Sequence, residues 1–206
     1  MNKRRPTKII DQLGREAVLT SAARLFRDQG YERTTVKEVA KACNMLPGSL
    51  HYRYHTKEAI LVDLMRLGLE RAALAVTEAC VNVSDPVEQL RRGINAHLKM
   101  LVTGSDMVYV LLFEWRALRG DARKEMIELR DRYEALWAAM LSLLAQHGAI
   151  RKDVDLNLLR LIGLGALNWV ATWFNENGRY SLEDIDDFVW LVINSAFVVP
   201  SETSIK

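Results

Sequence analysis

The apolar residues of this chain recur mostly at spacings of three and four, the period of an α-helix with one buried face. Glycine, proline and capping residues divide the pattern into about nine helices, and no segment alternates as a strand does. The sequence therefore predicts an all-α fold. The predicted helices span approximately residues 9–29, 35–43, 46–52, 57–79, 86–102, 106–118, 121–147, 155–175 and 182–199.

Three short predicted helices within residues 11–54 have the spacing of a helix-turn-helix unit. Thr35 and Glu38 can form a capping box that begins the second helix. Asn44 tolerates left-handed backbone and suits the tight turn that follows. The third helix, residues 46–52, is expected to lie in the major groove, because small and polar residues on its exposed face let the backbone approach DNA.

Charge is distributed unevenly along the chain. Residues 1–60 contain 12 Lys and Arg against 6 Asp and Glu, a net charge of +6, whereas the remaining 146 residues contain 16 against 20, a net charge of −4. A basic end on an acidic body is typical of a protein whose one end meets phosphate. The charge pattern therefore favours double-stranded DNA as the partner of the N-terminal part.

The predicted DNA contacts come from the basic N-terminal arm and from the starts and exposed faces of the short helices. Hydroxyl, imidazole and cationic side chains there can bind phosphates, and the arm can reach a neighbouring groove. The predicted residues are Arg4, Arg5, Thr34, Thr35, Pro47, Gly48, Ser49, His51, Tyr52, Arg53 and Lys57.

Two segments, GYERTTVKEVA at residues 30–40 and LPGSLHYRYHTKE at residues 46–58, resemble the signature of the TetR family. In that family an aromatic-rich segment precedes Ser/Thr-Lys-Glu. The resemblance is close over about residues 12–65 and extends beyond them only to length and helical content. Two positions depart from the family pattern, since His51 stands where tyrosine is usual and Tyr54 where phenylalanine is usual.

This resemblance implies a ligand-responsive transcriptional repressor. The arm and helix-turn-helix DNA-binding domain would occupy residues 1–56, and a ligand-binding and dimerisation domain would occupy residues 57–206. A small molecule would release the repressor from its operator. Independently of the resemblance, two cysteines outside any C-x-x-C pair and an N-terminus that leads to no apolar region favour the cytoplasm.

The last two predicted helices carry more apolar surface than one subunit can easily cover. Residues 185–197 repeat apolar side chains at helical spacing, and the helix from residue 155 is apolar on nearly all sides. A helix that is apolar on all sides has to be buried on all sides. Because one small subunit cannot easily cover it, this pattern predicts a homodimer. The alternative is that the helix is fully buried in the core of a monomer. The predicted dimer residues are Leu161, Leu164, Phe188, Val192 and Ala196.

Large aromatic side chains with a few polar neighbours predict an apolar cavity for a small molecule in the C-terminal part. Ordinary core packing explains the same aromatic spacing, so that alternative stays open at each position. His97 shares a helix face with leucines and is expected to be a hydrogen-bonded core residue. The predicted ligand-binding residues are Phe113, Arg116, Tyr133, Trp137, Asn168, Trp169 and Trp173.

A second resemblance concerns the effector. Residues 46–50 and the Asn-Trp and Trp-Phe pairs at residues 168–169 and 173–174 are similar to TetR regulators of fatty-acid and steroid-ring catabolism. This implies an acyl-CoA effector, whose phosphates would suit arginine. The candidate arginines are Arg116, Arg91, Arg92 and Arg119. The alternative is a regulator of drug efflux whose tryptophans bind aromatic or cationic compounds.

Other functional classes find less support. The sequence has no H-E-x-x-H, P-loop, G-x-S-x-G or C-x-x-C motif, and its histidines show no metal-ligand spacing with its cysteines. His51 and His55 are four residues apart and could bind a metal, but His55 lies at a predicted helix break, so no catalytic, metal or cofactor site is predicted. A helical enzyme and a helical adaptor without DNA binding are the remaining alternatives. The two cysteines are expected to be free thiols. The longest uncharged apolar stretch, residues 161–174, is shorter than the roughly 18 residues needed to cross a membrane.

Overall fold

The computed structural model describes the backbone of residues 5–199 and the side chains of residues 14–199 apart from that of Ser105. Within this range the chain forms nine α-helices and one 3-10 turn, which confirms the predicted all-α fold. The helices are α1 (Arg5–Gln29), α2 (Val36–Ala42), α3 (Pro47–Arg53), α4 (Lys57–Cys80), α5 (Pro86–Thr103), α6 (Ser105–Phe113), α7 (Gly120–Gln146), α8 (Leu156–Trp173) and α9 (Leu182–Phe197).

Most helix boundaries lie where capping residues and glycines predict them. Thr35 and Glu38 form the capping box of α2, in which the Thr35 N–H donates to Glu38 Oε2 at 2.7 Å. Gly30 and Gly148 follow α1 and α7 with φ values of 85° and 66°, which glycine adopts without a Cβ clash. Asn44 has a φ of 54°, as the predicted turn requires.

The sixth helix ends earlier than the apolar pattern predicts. A 3-10 turn, Glu114–Ala117, follows Phe113 and interrupts the continuous helix expected over residues 106–118. A 3-10 turn has fewer residues per turn than an α-helix, so it changes which side chains face inward. Here Leu118, directly after the turn, becomes fully buried.

The chain divides into two compact units. Unit 1 consists of the residues up to Gly68 together with Asp106–Leu129, and unit 2 consists of Leu69–Ser105 together with the residues from Arg130 onward. Both α4 and α7 contribute residues to each unit. Division by packing therefore differs from the functional boundary predicted after residue 56, because the first turns of α4 pack with the N-terminal helices.

The core of unit 1 is built from the inward faces of short helices. α1 packs against α2, and α2 packs against α3. Phe26 of α1, Leu50 of α3 and Leu61 of α4 are fully buried, and the Tyr31 ring meets Phe26 edge-on with 5.2 Å between centroids. These contacts hold one face of α3 in the core and leave its other face to solvent.

Unit 2 is built around α5, which packs against both α8 and α9. Its apolar side chains at helical spacing, together with His97, are buried. The Arg151 N–H donates to the Phe197 carbonyl at 3.0 Å, and the Val199 N–H donates to the Ala149 carbonyl at 3.0 Å, so the end of α9 is joined to the loop before α8. Within the described residues no single helix is both long and apolar enough to span a membrane.

Candidate functional site

α3 presents a small and polar surface on the side away from the core of unit 1. Leu50 is fully buried, whereas its neighbours in the helix face solvent. Tyr52 is 88% exposed, which suits a contact residue better than a packing residue. The exposed predicted contact residues of α3 are Pro47, Gly48, Ser49, His51 and Tyr52.

Gly48 lies at an open position of α3. A Cβ added there would meet nothing within 4 Å, and Gly48 is not among the residues with positive φ. Neither packing nor backbone conformation within the described chain therefore requires glycine, although glycine weakens a helix relative to alanine. The backbone of α3 at Gly48 is therefore open to the approach of another molecule.

Lys57 and Thr34, both predicted DNA contacts, donate hydrogen bonds to main-chain carbonyl oxygens. Lys57 Nζ donates to the carbonyl oxygens of Tyr31 at 2.7 Å and Glu32 at 3.0 Å, which leaves one of its three N–H groups for a phosphate. Thr34 is only 1% exposed, and its hydroxyl donates to the Gly30 carbonyl at 2.9 Å. Because Thr34 is a core residue here, the candidate DNA surface excludes it.

The other predicted contacts differ in how much of them is available. Thr35 is exposed, but its hydroxyl donates to Glu38 Oε2 at 2.7 Å within the capping box. Arg53 is half-buried and lines a polar cleft of unit 1. Arg4 lies outside the described residues, and only the backbone of Arg5 is described, at the start of α1.

Unit 2 contains an apolar cavity of about 400 Å³ lined by residues of α5, α7, α8 and α9. Buried side chains, among them Leu90, Ile94 and Trp137, form its inner wall. Ile162 and Phe188 border it as well, although they are 69% and 66% exposed. The cavity therefore extends from the core of unit 2 to the exposed face of α8 and α9.

A buried hydrogen-bonded chain connects α5, α7 and α8 within unit 2. His97 Nδ1 lies 2.7 Å from the Tyr133 hydroxyl, and His97 Nε2 lies 3.2 Å from Asn168 Oδ1. An amide oxygen only accepts, so Nε2 carries the proton and Nδ1 accepts from Tyr133. Burial lowers the pKa of His97 to about 4, so the imidazole is neutral at pH 7. These partners confirm His97 as a hydrogen-bonded core residue.

The structure brings together only some of the predicted ligand-binding residues. Tyr133 and Asn168 meet at His97, and the Trp137 ring, which lines the cavity, lies edge-on to His97 with 5.5 Å between centroids. Trp169 is 65% exposed and, like Trp173, does not line the cavity.

Phe113 and Arg116 belong to unit 1. The Phe113 ring packs against Tyr109 with 4.8 Å between centroids, and the Arg116 guanidinium lies 5.0 Å from the centroid of the Trp115 ring. Both predicted ligand residues therefore have neighbours in unit 1 rather than in the cavity of unit 2.

The predicted dimer residues fall into two groups. Leu161, Phe188 and Val192 are exposed, and Ala196 is half-buried. Leu164 is buried and lines the cavity, because it lies on the inner side of α8. The exposed apolar side chains of α8 and α9 are Leu158, Leu161, Ile162, Trp169, Trp173, Phe188, Leu191 and Val192.

Most cavity-lining residues are absent from the predicted ligand set. Leu90, Ile94 and Leu141 lie on faces that helical spacing assigns to the core. Spacing alone does not separate a side chain that fills the core from one that borders a cavity. Arg160 lines the cavity too, and its position inside an otherwise apolar segment of α8 was the available signal.

Residues 18–64 match the family described as bacterial regulatory proteins, tetR family, and residues 83–195 match the tetracyclin repressor-like C-terminal domain. The chain belongs to the TetR family. It is therefore a helix-turn-helix DNA-binding repressor with a helical ligand-binding domain. The first match covers α2 and α3, and the second covers the helices that line the cavity.

Known relatives are similar over most of their length. The HTH-type transcriptional repressor KstR2 of Mycolicibacterium smegmatis is 24% identical over 173 residues, covering 83% of this chain and 84% of the relative. The fatty acid metabolism regulator protein of Bacillus subtilis is 22% identical over 173 residues, covering 84% and 89%.

Two solved structures are similar in fold and sequence. The TetR family transcriptional regulator PfmR from Thermus thermophilus is 31% identical with a TM-score of 0.76, covering 85% of this chain and 96% of that one. AibR, solved in complex with isovaleryl coenzyme A and operator DNA, is 29% identical with a TM-score of 0.78, covering 86% and 96%.

The depressed pKa of His97 predicts acid destabilisation of the fold. In the unfolded chain the imidazole regains a pKa near 6.5, so between pH 6.5 and pH 4 the unfolded state binds more protons than the folded state. Because of His97, the free energy of unfolding should therefore fall by about 2 kcal/mol as the pH falls from 7 to 5. Urea unfolding of the wild type and of His97→Gln measures this, since the variant lacks the titrating group. Parallel pH profiles for the two proteins would contradict the burial of a neutral imidazole.

Proposed function

We propose that this repressor binds its operator with α3 in the major groove and is released from it by an acyl-CoA thioester. The observation that carries the effector class is the apolar cavity of unit 2. Its volume of about 400 Å³ lies in the range of small-ligand sites, and its lining suits an acyl chain. The AibR complex with isovaleryl coenzyme A and operator DNA supports the same pairing of ligand and target.

The charges around the cavity favour an acyl chain over a cationic compound. Arg160 is the one ionic side chain among the described lining residues, and its guanidinium pairs with Glu134. A cationic ligand would find three aromatic side chains there, Trp137, Phe188 and Phe197, but no carboxylate, and it would meet the like charge of Arg160.

The CoA phosphates would need a cation near this cavity. Arg91 follows the lining residue Leu90 on α5, is exposed, and lies 5.8 Å from the ring centroid of Trp190 on α9. Its contact with Asp187 spans 4.0 Å, and exposed pairs of this kind are weak. Arg91 can therefore turn to a phosphate. Arg116, another of the four candidates, lies in unit 1, and its guanidinium lies over the ring of its neighbour Trp115.

The exposed apolar face of α8 and α9 supports a homodimer. Large side chains such as Ile162, Trp169 and Phe188 lie with most of their surface in water. A large exposed apolar patch marks an interaction surface more often than a stable monomer surface. A twofold dimer through this face would present two copies of α3 to successive major grooves, about 34–36 Å apart or a multiple of that distance.

Release by the effector would be a shift between two states. The thioester would bind more tightly to a conformation of the dimer in which the spacing of its two helix-turn-helix units no longer matches the operator. The free energy by which it shifts the equilibrium cannot exceed the difference between its binding free energies for the two conformations. The protein would act in the cytoplasm, where its operator DNA lies.

Gly48→Ala is expected to weaken DNA binding without weakening the fold. The added methyl group has open space within the chain, and alanine is up to about 1 kcal/mol better than glycine in a helix, so the Tm should hold or rise. Against DNA the methyl group would keep the backbone away and lower operator affinity about tenfold, or 1.4 kcal/mol. Fluorescence anisotropy and thermal unfolding measure the two effects. An alanine variant with wild-type affinity would remove Gly48 from the contact surface.

One acyl-CoA thioester is expected to release the protein from the DNA upstream of its own gene, and free CoA is not, because it has no acyl chain to fill the cavity. Arg91→Ala should raise the thioester concentration for half-release about tenfold, the loss of one charge-assisted contact. Arg116→Ala is the matched control and should release as the wild type does. Equal effects of the two substitutions would exclude Arg91 as the phosphate contact, and release by no thioester would exclude the effector class while leaving DNA binding intact.

Phe188→Glu is expected to dissociate the dimer. The substitution places a carboxylate in the proposed apolar contact, and burying an unpaired charge costs several kcal/mol, so the dimer dissociation constant should rise by about two orders of magnitude. Leu74→Glu is the matched control, since Leu74 is an exposed apolar residue of α4 outside this face. Analytical ultracentrifugation compares them. A dimeric Phe188→Glu protein would place the dimer contact elsewhere.

A further inference from the structure

Asp63 of α4 lies at the centre of a hydrogen-bonded cluster in unit 1. Its Oδ1 accepts from Arg15 Nη2 at 2.8 Å and from Arg66 Nη1 at 3.2 Å. Its Oδ2 accepts from Arg15 Nε at 2.9 Å and from the Tyr54 hydroxyl at 2.6 Å. Four hydrogen bonds use the full accepting capacity of a carboxylate. The cluster joins α1, α4 and the residue that directly follows α3.

Tyr54 connects this cluster to α3. It is the C-cap residue of α3, and its backbone N–H donates to the Leu50 carbonyl at 2.8 Å. Leu50 is the one buried residue within α3, and Tyr54 is buried one turn further along. Two side chains on one face thus hold a helix of seven residues against the core. Apolar contacts are non-directional, so the hydroxyl hydrogen bond adds the directional restraint that they lack.

The protonation states suit this arrangement. Burial by itself would raise the pKa of Asp63, but the hydrogen bonds from Arg15 and Tyr54 and the charges of Arg15 and Arg66 outweigh it and lower the pKa. Asp63 is therefore ionised at neutral pH and accepts. Burial and the bond to Asp63 raise the pKa of Tyr54, so its hydroxyl keeps its proton and donates.

The cluster extends to a further element of unit 1. Arg66 also donates to Glu125 of α7, which belongs to the same unit. Among the described residues, the arginines that donate to Asp63 belong to the long helices α1 and α4, and the Tyr54 hydroxyl provides a bond from the end of the short helix α3. A displacement of the carboxylate would be passed to α3 through that hydroxyl.

We propose that Asp63 is a positioning residue for DNA recognition, which sets the orientation of α3 through the Tyr54 hydroxyl without touching DNA. This rests on the proposal that α3 binds the operator. Sequence-specific binding needs α3 aligned with base edges, whereas nonspecific binding needs only positive charge near phosphates. Loss of the restraint therefore lowers specific affinity and spares nonspecific affinity.

Tyr54→Phe tests the restraint, since it removes the hydroxyl and keeps the ring. Operator affinity should fall about threefold to tenfold, the range for one lost hydrogen bond, with unchanged nonspecific affinity and salt dependence. Asp63→Asn should lower it further, because Arg15 and Arg66 both lose the Asp63 carboxylate as well. Asp106→Asn is the matched control: it removes the 2.6 Å ion pair with Arg27 elsewhere in unit 1 and should leave the ratio of specific to nonspecific affinity unchanged.

Amide hydrogen exchange of the free protein provides a second readout that needs no DNA. Tyr54→Phe should speed exchange in residues 47–53 relative to residues 36–42, and Asp106→Asn should not. The proposal would be overturned if Tyr54→Phe and Asp63→Asn changed neither the exchange rates nor the ratio of specific to nonspecific DNA affinity. It would also be overturned if exchange became faster while that affinity ratio stayed the same. A wild type that binds no specific DNA would overturn the proposed function itself, and exchange would still show whether the hydroxyl restrains α3.

Discussion

Unit 2 depends on the burial of one face of α5. The buried residues of this helix recur at helical spacing, and the helix packs against α8 and α9. The residue at which α5 begins therefore sets which of its side chains face those two helices. That start is fixed locally, since Asp85 caps the helix by accepting from the Val87 N–H at 3.1 Å and Pro86 occupies the first turn. His97 is the one polar residue on this buried face and needs partners there.

α8 serves two surfaces with one run of apolar sequence. Leu164 lies on its inner side at the cavity, and Asn168, one turn later, bonds to His97. Leu161 and Trp169 lie on its outer side with much of their surface exposed. The proposed effector cavity and the proposed dimer contact thus share a helix. Because packed helices move as rigid bodies, a ligand that alters the inner side of α8 also acts on the outer side.

The basic N-terminal part of the chain, residues 1–60, has fewer cations available to bind phosphate than its composition indicates. Lys57 donates two hydrogen bonds to main-chain oxygens, and Arg15 pairs with Asp63 through two nitrogens. These charges help to hold the N-terminal helices together. The exposed face of α3 therefore consists mainly of small and polar groups, which suits the proposed close approach of this helix to DNA.

Much of this protein is determined by the sequence alone. Helical periodicity, the capping box at Thr35 and the left-handed turn at Asn44 are local properties, so the all-α fold and the helix-turn-helix unit are predictable from neighbouring residues. The two segments of the family signature likewise lie close together in the sequence, within residues 30–58. The core role of His97 follows from its leucine-rich face.

Only the tertiary structure decided which side chains from distant parts of the chain share a site. Spacing placed Trp137 and Trp169 alike in a ligand pocket, but one borders the cavity and the other faces solvent. Thr34 is a core residue although it adjoins an exposed capping threonine. The bond from Tyr54 to Asp63 joins residues nine apart across a break between helices. Each of these depends on how helices pack, and packing is set by contacts between side chains that no local period specifies.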